Sequence, residues 1–299
     1  SVGNLTTGGT GKTPITAEIA NYFAKKGDYP AILSRGYGGQ LPNKDVNVVS
    51  DGLTIHHNAL EAGDEPYWLA SHCPKCAVLT CSSRVKAAKF AKNSLHCTKL
   101  ILDDGFQHQK IGRDLNILVT DSEKQFSNGC VLPLGALREP LSEIKRADKI
   151  VVVNKSFNDK KAKSFARYLR KKYNKPAFVC SMVPDIVYNI KTEKLIEDDA
   201  PVIAFSAIAQ PEQFYKFANR IGGADRAVTY YSAVRPSAVC NIIEYRSKNE
   251  TVERNFYESR ILNLGLCFYP GDIAHLFFLI FQRHSGDVGD RIREFSLRG

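Results

Sequence analysis

The sequence predicts an α/β protein: a doubly wound, mostly parallel sheet, with a second, smaller α/β domain after it. Three observations carry the prediction. The stretch NLTTGGTGKTP (4–14) is rich in glycine, follows an apolar run and opens a helical one. The runs KLILDD, LNILVTD and KIVVVNK are almost continuously apolar, as parallel strands covered on both faces must be. These runs alternate with stretches of helical periodicity, which is the rhythm of a parallel sheet with crossover helices. Ligands of such sheets bind beyond the carboxyl ends of the strands.

Each element has its own signal. SVGNL reads as the tail of a strand. Residues 13–26 read as a helix, with Pro14 in its first turn and Gly27 as its C-terminal stop. Ile15, Ile19, Tyr22 and Phe23 share one face of it. A short buried strand over 31–34 ends in the loop RGYGG, and a second helix is expected over 84–92. The basic run KKAKSFARYLRKKYNK reads as an amphipathic helix with a solvated charged face, and contact with a membrane surface is its functional alternative. PAFVCSM follows as a strand, then PVIAFSAI as a strand and QPEQFYKFANRIGG as a helix.

The expected division is a core domain over 1–190 and a smaller domain over 191–299. From about Thr229 the α/β rhythm decays, and a shifted reading frame or another foreign origin for the tail is the working expectation there. Since SVGNL begins as the end of a strand, the chain also reads as a fragment that starts downstream of its true N-terminus. No run reaches the ~20 apolar residues of a membrane span.

The 299 residues carry a formal charge of +10, which suits an acidic partner. No nucleic-acid-binding signature accompanies it, so a phosphorylated or lipid partner fits better than nucleic acid. The eight cysteines are scattered; only Cys73 and Cys76, in CPKC, have metal-like spacing, and no second pair follows. Ordinary reduced thiols are the expected reading.

The glycine-rich loop ends as a phosphate-binding P-loop does. Residues Thr7, Gly8, Gly9, Thr10, Gly11, Lys12 and Thr13 form its anion-cradling part. Backbone N–H groups curl around phosphate oxygens, Lys12 reaches the terminal phosphates, and the Thr13 hydroxyl suits Mg²⁺. The strict pattern asks for glycine where Thr6 stands. Asp103 and Asp104 close an apolar strand as a Walker-B acid pair would, and two adjacent carboxylates call for a cation. In AGDEP, Asp64 and Glu65 precede a helix. They read either as N-capping acids or as a base near an acceptor hydroxyl. In LREP, Arg138 suits phosphate and Glu139 suits the metal; Arg35 and Arg84 are further anion-binding candidates, although a lone arginine is more often at the surface. VVVNK has the first two letters of a guanine-reading NKxD but lacks its Asp.

SVGNLTTGGTGKTP, SRGYGG, GDEP, DDGFQH, RDLNILVTD, LPLGALREP and RADKIVVVNK occur in that order. Together they resemble the tetraacyldisaccharide 4'-kinase (lipid A 4'-kinase) family, from residue 1 to about 225. The resemblance implies that Thr6 is a family trait. It implies ATP and Mg²⁺ as cofactors and transfer of the γ-phosphate to the 4'-hydroxyl of tetraacyldisaccharide 1-phosphate. It places the protein at the cytoplasmic face of the inner membrane. It makes Asp64 the general base, sets Glu65, Asp103 and Asp104 at the metal, and has Arg84 and Arg138 hold the substrate or the transferring phosphate.

Two departures stand out. The family's N-terminal hydrophobic anchor is missing, and the chain reads as starting just after it. The family's second-domain histidine, partner of the catalytic Asp, is also missing: the corresponding region reads DRAVTYYSAVRPSAV. Two competing readings remain open on the sequence. One is a P-loop ATPase or GTPase acting on a protein partner; the other is a catalytically impaired, lipid-binding remnant of the kinase.

Overall fold

The computed structural model describes residues 1–155, 158–189, 203–206, 226–229 and 260–268. The expected helix over 210–223, the region of the missing histidine beyond residue 229 and nearly all of the tail lie outside them. The chain divides into two compact units: Ser1–Met182 with Leu266–Gly299, and Val183–Gly265.

In the first unit the elements are β1 (Val2–Gly3), α1 (Lys12–Lys25), β2 (Pro30–Ser34), β3 (Asn47–Asp51), α2 (Ala59–Ala62), α3 (Asp64–His72), β4 (Ala77–Thr80), α4 (Arg84–Asn93), β5 (Lys99–Leu102), β6 (Ile117–Asp121), β7 (Lys149–Asn154), α5 (Asp159–Tyr173) and the start of β8 (Ala177–Asn189). A 3₁₀ turn, Leu141–Arg146, precedes β7. Described strands of the second unit are β9 (Ile203–Ser206) and β10 (Arg226–Thr229), a parallel pair; β11 (Arg260–Phe268) runs from it into the first unit.

The strands run β3-β4-β2-β5 in one sheet and β1-β6-β7-β8-β11 in the other. The two meet edge to edge, where the Gly105 N–H donates to the Val2 carbonyl at 2.9 Å. Gly3 permits that approach, since a Cβ there would lie 2.6 Å from the Phe106 Cβ. The pairs β2–β4, β2–β5, β1–β6, β6–β7 and β7–β8 are parallel, and β3, at the sheet edge, pairs with β4 antiparallel.

Alternation in the strands decides the layers. Ile32, Val78, Val151 and Val153 face a core shared with Ile15 and Ile19 of α1 and Leu69 of α3. Ile150 and Val152 face α5 through Phe165 and Leu169. Leu33 and Leu79 face α4 through Ala87 and Ala91. Helices therefore cover both faces, which is why the strands read as continuous apolar runs. At the end of α1, Gly27 (φ 89°) follows the C-cap Lys26. Its N–H reaches the Ala24 carbonyl and the Asp28 N–H reaches that of Phe23, both at 3.1 Å, completing a Schellman stop.

Two sequence readings need correction. Residues 47–51 and 77–80 are strands that the periodicity did not mark. Asp64 is also not a capping residue: Gly63 occupies the N-cap of α3 without a side-chain cap, and Asp64 and Glu65 sit in the first turn.

Candidate active site

The phosphate loop is set by what lies on either side of it. Thr6 pairs with Leu137 in an antiparallel bridge, the Thr7 N–H donates to the Ala136 carbonyl at 2.8 Å, and the Arg138 N–H donates to Leu5 at 2.6 Å. Thr6 is thus extended and buried, a place where a side chain is useful and glycine is not required. The left-handed turns come at Gly8 (φ 93°) and Gly11 (φ 91°). Nothing lies within 4 Å of a Cβ placed on Gly8 or Gly9, so the loop faces open space there. Asn4, fully buried, donates to the Thr10 hydroxyl at 3.0 Å and steadies the loop from below.

Gly11 is the N-cap of α1, and no side chain caps that end; its first turn holds no acid. The helix therefore presents unsatisfied N–H groups and the positive end of its dipole. A nucleotide phosphate fits this cradle chemically. Lys12 opens the helix, and its ammonium lies 3.6 Å from the Asp104 carboxylate. Thr13 follows, half-buried.

Asp103 and Asp104 stand just past β5 and have different roles in the structure. Asp103 is 2% exposed; its Oδ1 accepts from the Thr16 hydroxyl at 2.9 Å. Burial, then the nearby Glu65, pushes its carboxyl up to about 6. Asp104 adopts a left-handed backbone (φ 49°), which turns it toward the cations. Burial would raise it, but Lys12 and Arg138 outweigh burial and hold it below the usual carboxylate range. Arg138 donates to both Asp104 oxygens, at 3.1 and 2.8 Å. Glu139 accepts from Gln107 at 3.2 Å and pairs with Arg146. Gln107 in turn donates to the Asn4 carbonyl at 2.8 Å, tying this turn to the base of the phosphate loop.

Asp64 and Glu65 are exposed in the first turn of α3, and Glu65 is close enough to Asp103 to raise its pKa. Gly63 (φ 95°) makes the turn before them; a Cβ there would sit 2.6 Å from the Tyr37 carbonyl, so the RGYGG loop and the acid turn are packed together. Arg35, half-buried, donates to the Tyr37 hydroxyl at 2.8 Å.

Arg84 corrects the expectation of a surface arginine. It is 1% exposed, and its guanidinium donates to the backbone carbonyls of Cys81 (3.1 Å) and Asp103 (3.2 Å). Burial, then Arg35, lowers it to about 10, so it remains charged at neutral pH. His108 is lowered by burial and then by Arg84 and Arg35, with smaller contributions from Arg113 and Lys110. The neighbourhood is therefore strongly positive around an acid pair, a field that favours an anion carrying its own cation.

Thr16, Gln107 and Lys155 have positions that the sequence reading missed. Lys155, 7% exposed, donates to the Gly9 carbonyl and lies 3.4 Å from Asp121. It is the Lys of VVVNK, and its place at the end of a central strand beside the loop was the available signal. Asn154 of the same motif is occupied by Asp159 and Ser181. The donors near Lys12 suit Mg²⁺, which takes one or two carboxylates and fills its shell with phosphate oxygens and water. Cys73 and Cys76 are both buried, and among the described residues no group of three His, Cys, Asp or Glu converges as a metal site.

The family model for tetraacyldisaccharide-1-P 4'-kinase matches residues 1–227. The chain belongs to this family. Relatives named tetraacyldisaccharide 4'-kinase agree with the tetraacyldisaccharide 4'-kinase match. That of Pelobacter propionicus is 49% identical over 151 residues, 50% of this chain and 42% of its own length. That of Desulfotalea psychrophila is 39% identical over 219 residues, 72% of this chain and 62% of its own length. That of Chlorobaculum parvum is 35% identical over 260 residues, 84% and 71% respectively. The chain thus spans between two fifths and two thirds of the first two kinases. Among solved structures, the Aquifex aeolicus kinase in complex with ATP superimposes with a TM-score of 0.66 at 28% identity, covering 94% of this chain and 87% of that one.

Proposed function

We propose that this protein is an ATP- and Mg²⁺-dependent kinase that phosphorylates the 4'-hydroxyl of tetraacyldisaccharide 1-phosphate, at the cytoplasmic face of the inner membrane. The observation that carries the reading is the chain of charges from Lys12 through Asp104 to Arg138, which joins the phosphate loop, the end of β5 and the LREP turn. Phosphoryl transfer is mostly positioning and charge stabilisation, and this chain supplies both at one place.

In this reading the N–H groups of 7–13 hold the nucleotide phosphates and Lys12 stabilises charge on the transferring group. Thr13, Asp103, Asp104 and Glu65 serve the cation. A cation held by these residues would offset the negative charge that gathers on the phosphates. Asp64, exposed at the mouth of the site, takes the proton from the acceptor hydroxyl. Arg35, Arg138 and Glu139 hold the substrate, and Arg84 acts from below by fixing the Asp103 backbone. Family membership supports the reaction class, and the basic field supports an anionic acceptor. The core–small domain division near residue 190 belongs to the same proposal.

The test is transfer of labelled γ-phosphate from ATP to the disaccharide 1-phosphate in detergent with Mg²⁺. Product that disappears in Asp64→Ala supports both the kinase and its base. ATP binding without product overturns the reading.

A further inference from the structure

We infer that the loop 128–137 and the outer side of α5 form one face that docks on an anionic lipid bilayer. The inference rests on the lipid-acceptor reading only in its choice of partner.

The loop displays Val131, Leu132 and Leu134, which are 37%, 55% and 82% exposed. It is a built turn. Asn128 donates to the Leu134 carbonyl at 2.9 Å, the Gly135 N–H donates to Val131 at 3.1 Å, and the Leu132 N–H donates to Leu137 at 2.8 Å. A Cβ on Gly135 would lie 2.2 Å from the Asn128 Oδ1, so the turn admits no looser fit. Three apolar side chains held outward by such a scaffold mark a surface that meets apolar matter.

The neighbouring surface is cationic. Asn128 and Gly129 line a cavity of about 520 Å³ together with Lys161, Ser164 and Tyr168 of α5. The buried face of α5 is Ala162, Phe165, Ala166 and Leu169. Its outer face carries Lys160, Lys163, Arg167 and Lys171, all exposed, with Tyr168 among them at 48%. Asp159 is the sole acid in α5, and Asn154 holds it. Lysine and arginine seek anionic headgroups, tyrosine suits the interface, and leucines enter the acyl boundary. A second copy would set two faces of like charge together, and an acidic protein would leave the leucines without an apolar partner.

The experiment is co-sedimentation of the full chain with large vesicles of phosphatidylglycerol and phosphatidylcholine, against phosphatidylcholine alone, at low and high salt. The expected result is binding to the mixed vesicles that weakens with salt. Leu132→Ser with Leu134→Ser should lower partitioning by about tenfold or more. Lys163→Glu with Arg167→Glu and Lys171→Glu should lower it similarly and remove the salt dependence. Circular dichroism confirms that both variants stay folded. Equal binding by variants and wild type, equal binding to neutral vesicles, or no binding overturns the inference. So does self-association without vesicles that the same substitutions abolish. Phosphate transfer in detergent is measured in parallel. Vesicle binding without transfer sinks the kinase reading alone, whereas transfer with unaltered vesicle binding by the variants sinks this face alone.

Discussion

The Thr16 hydroxyl donates to Asp103 at 2.9 Å, one helical turn beyond the threonine of the P-loop motif. This bond joins α1 to the end of β5 and gives a buried carboxylate one fixed oxygen. Its neighbours and its burial decide what pH does to the fold.

Asp103 titrates near 6 in the folded protein against 3.8 when free. The folded state therefore binds more protons than the unfolded state between those values, and stability falls as pH rises through that window. The loss is roughly 3 kcal/mol in all. Asp104, held below its usual range, acts oppositely at lower pH. With chelator present, Asp103→Asn should flatten the decline in melting temperature between pH 4 and 7. A variant that declines as steeply as wild type would falsify the assignment.

Lys12 is the one side chain that both opens α1 and touches Asp104. Lys12→Met should reduce kcat for phosphate transfer by about 10²–10³, the scale of one lost charge-stabilising donor. The fold should survive, as measured by an unchanged melting profile. A reduction below threefold would mean that Lys12 does not act on the transferring group.

Thr6→Gly restores the strict motif, and intuition says that it should improve the loop. Thr6 is instead extended, buried and bridged to Leu137. Glycine adds backbone entropy to the unfolded chain and leaves a gap, at a cost of about 1 kcal/mol. Melting should drop by a few degrees and the nucleotide Kd should not tighten; tighter binding refutes this account of the loop.

Gly63→Ala tests how Asp64 is placed. The backbone there is left-handed, and a Cβ would press on the Tyr37 carbonyl at 2.6 Å. Strain of about 1–3 kcal/mol is expected. Because the RGYGG loop and α3 shift together, kcat should fall more than ATP affinity. An unchanged kcat at reduced stability would separate Gly63 from the acid turn.

The sequence made the central strands legible because both faces of them are covered, so β5, β6 and β7 stand out as apolar runs. It hid β3 and β4. The first is an edge strand with polar ends, NVVSD, and the second is four residues directly behind CPKC, whose spacing drew attention to metal. Lys12, Asp103, Asp104 and Arg138 were legible because short motifs carry them. Thr16, Gln107 and Lys155 were not, since each is tied into the site by a partner at least 87 residues away in sequence. The burial of Arg84 was likewise invisible: an arginine at the start of a helix looks the same whether it faces water or a strand end.

The bridge between 6–7 and 136–137 has a consequence in thermodynamic linkage. The segment that holds the phosphate loop in register also ends the turn that carries Leu132 and Leu134. Any ligand that tightens this ladder changes the affinity of a ligand bound at its other end, and reciprocity fixes the same factor in both directions. Nucleotide and bilayer would then sense each other through this short hydrogen-bonded ladder.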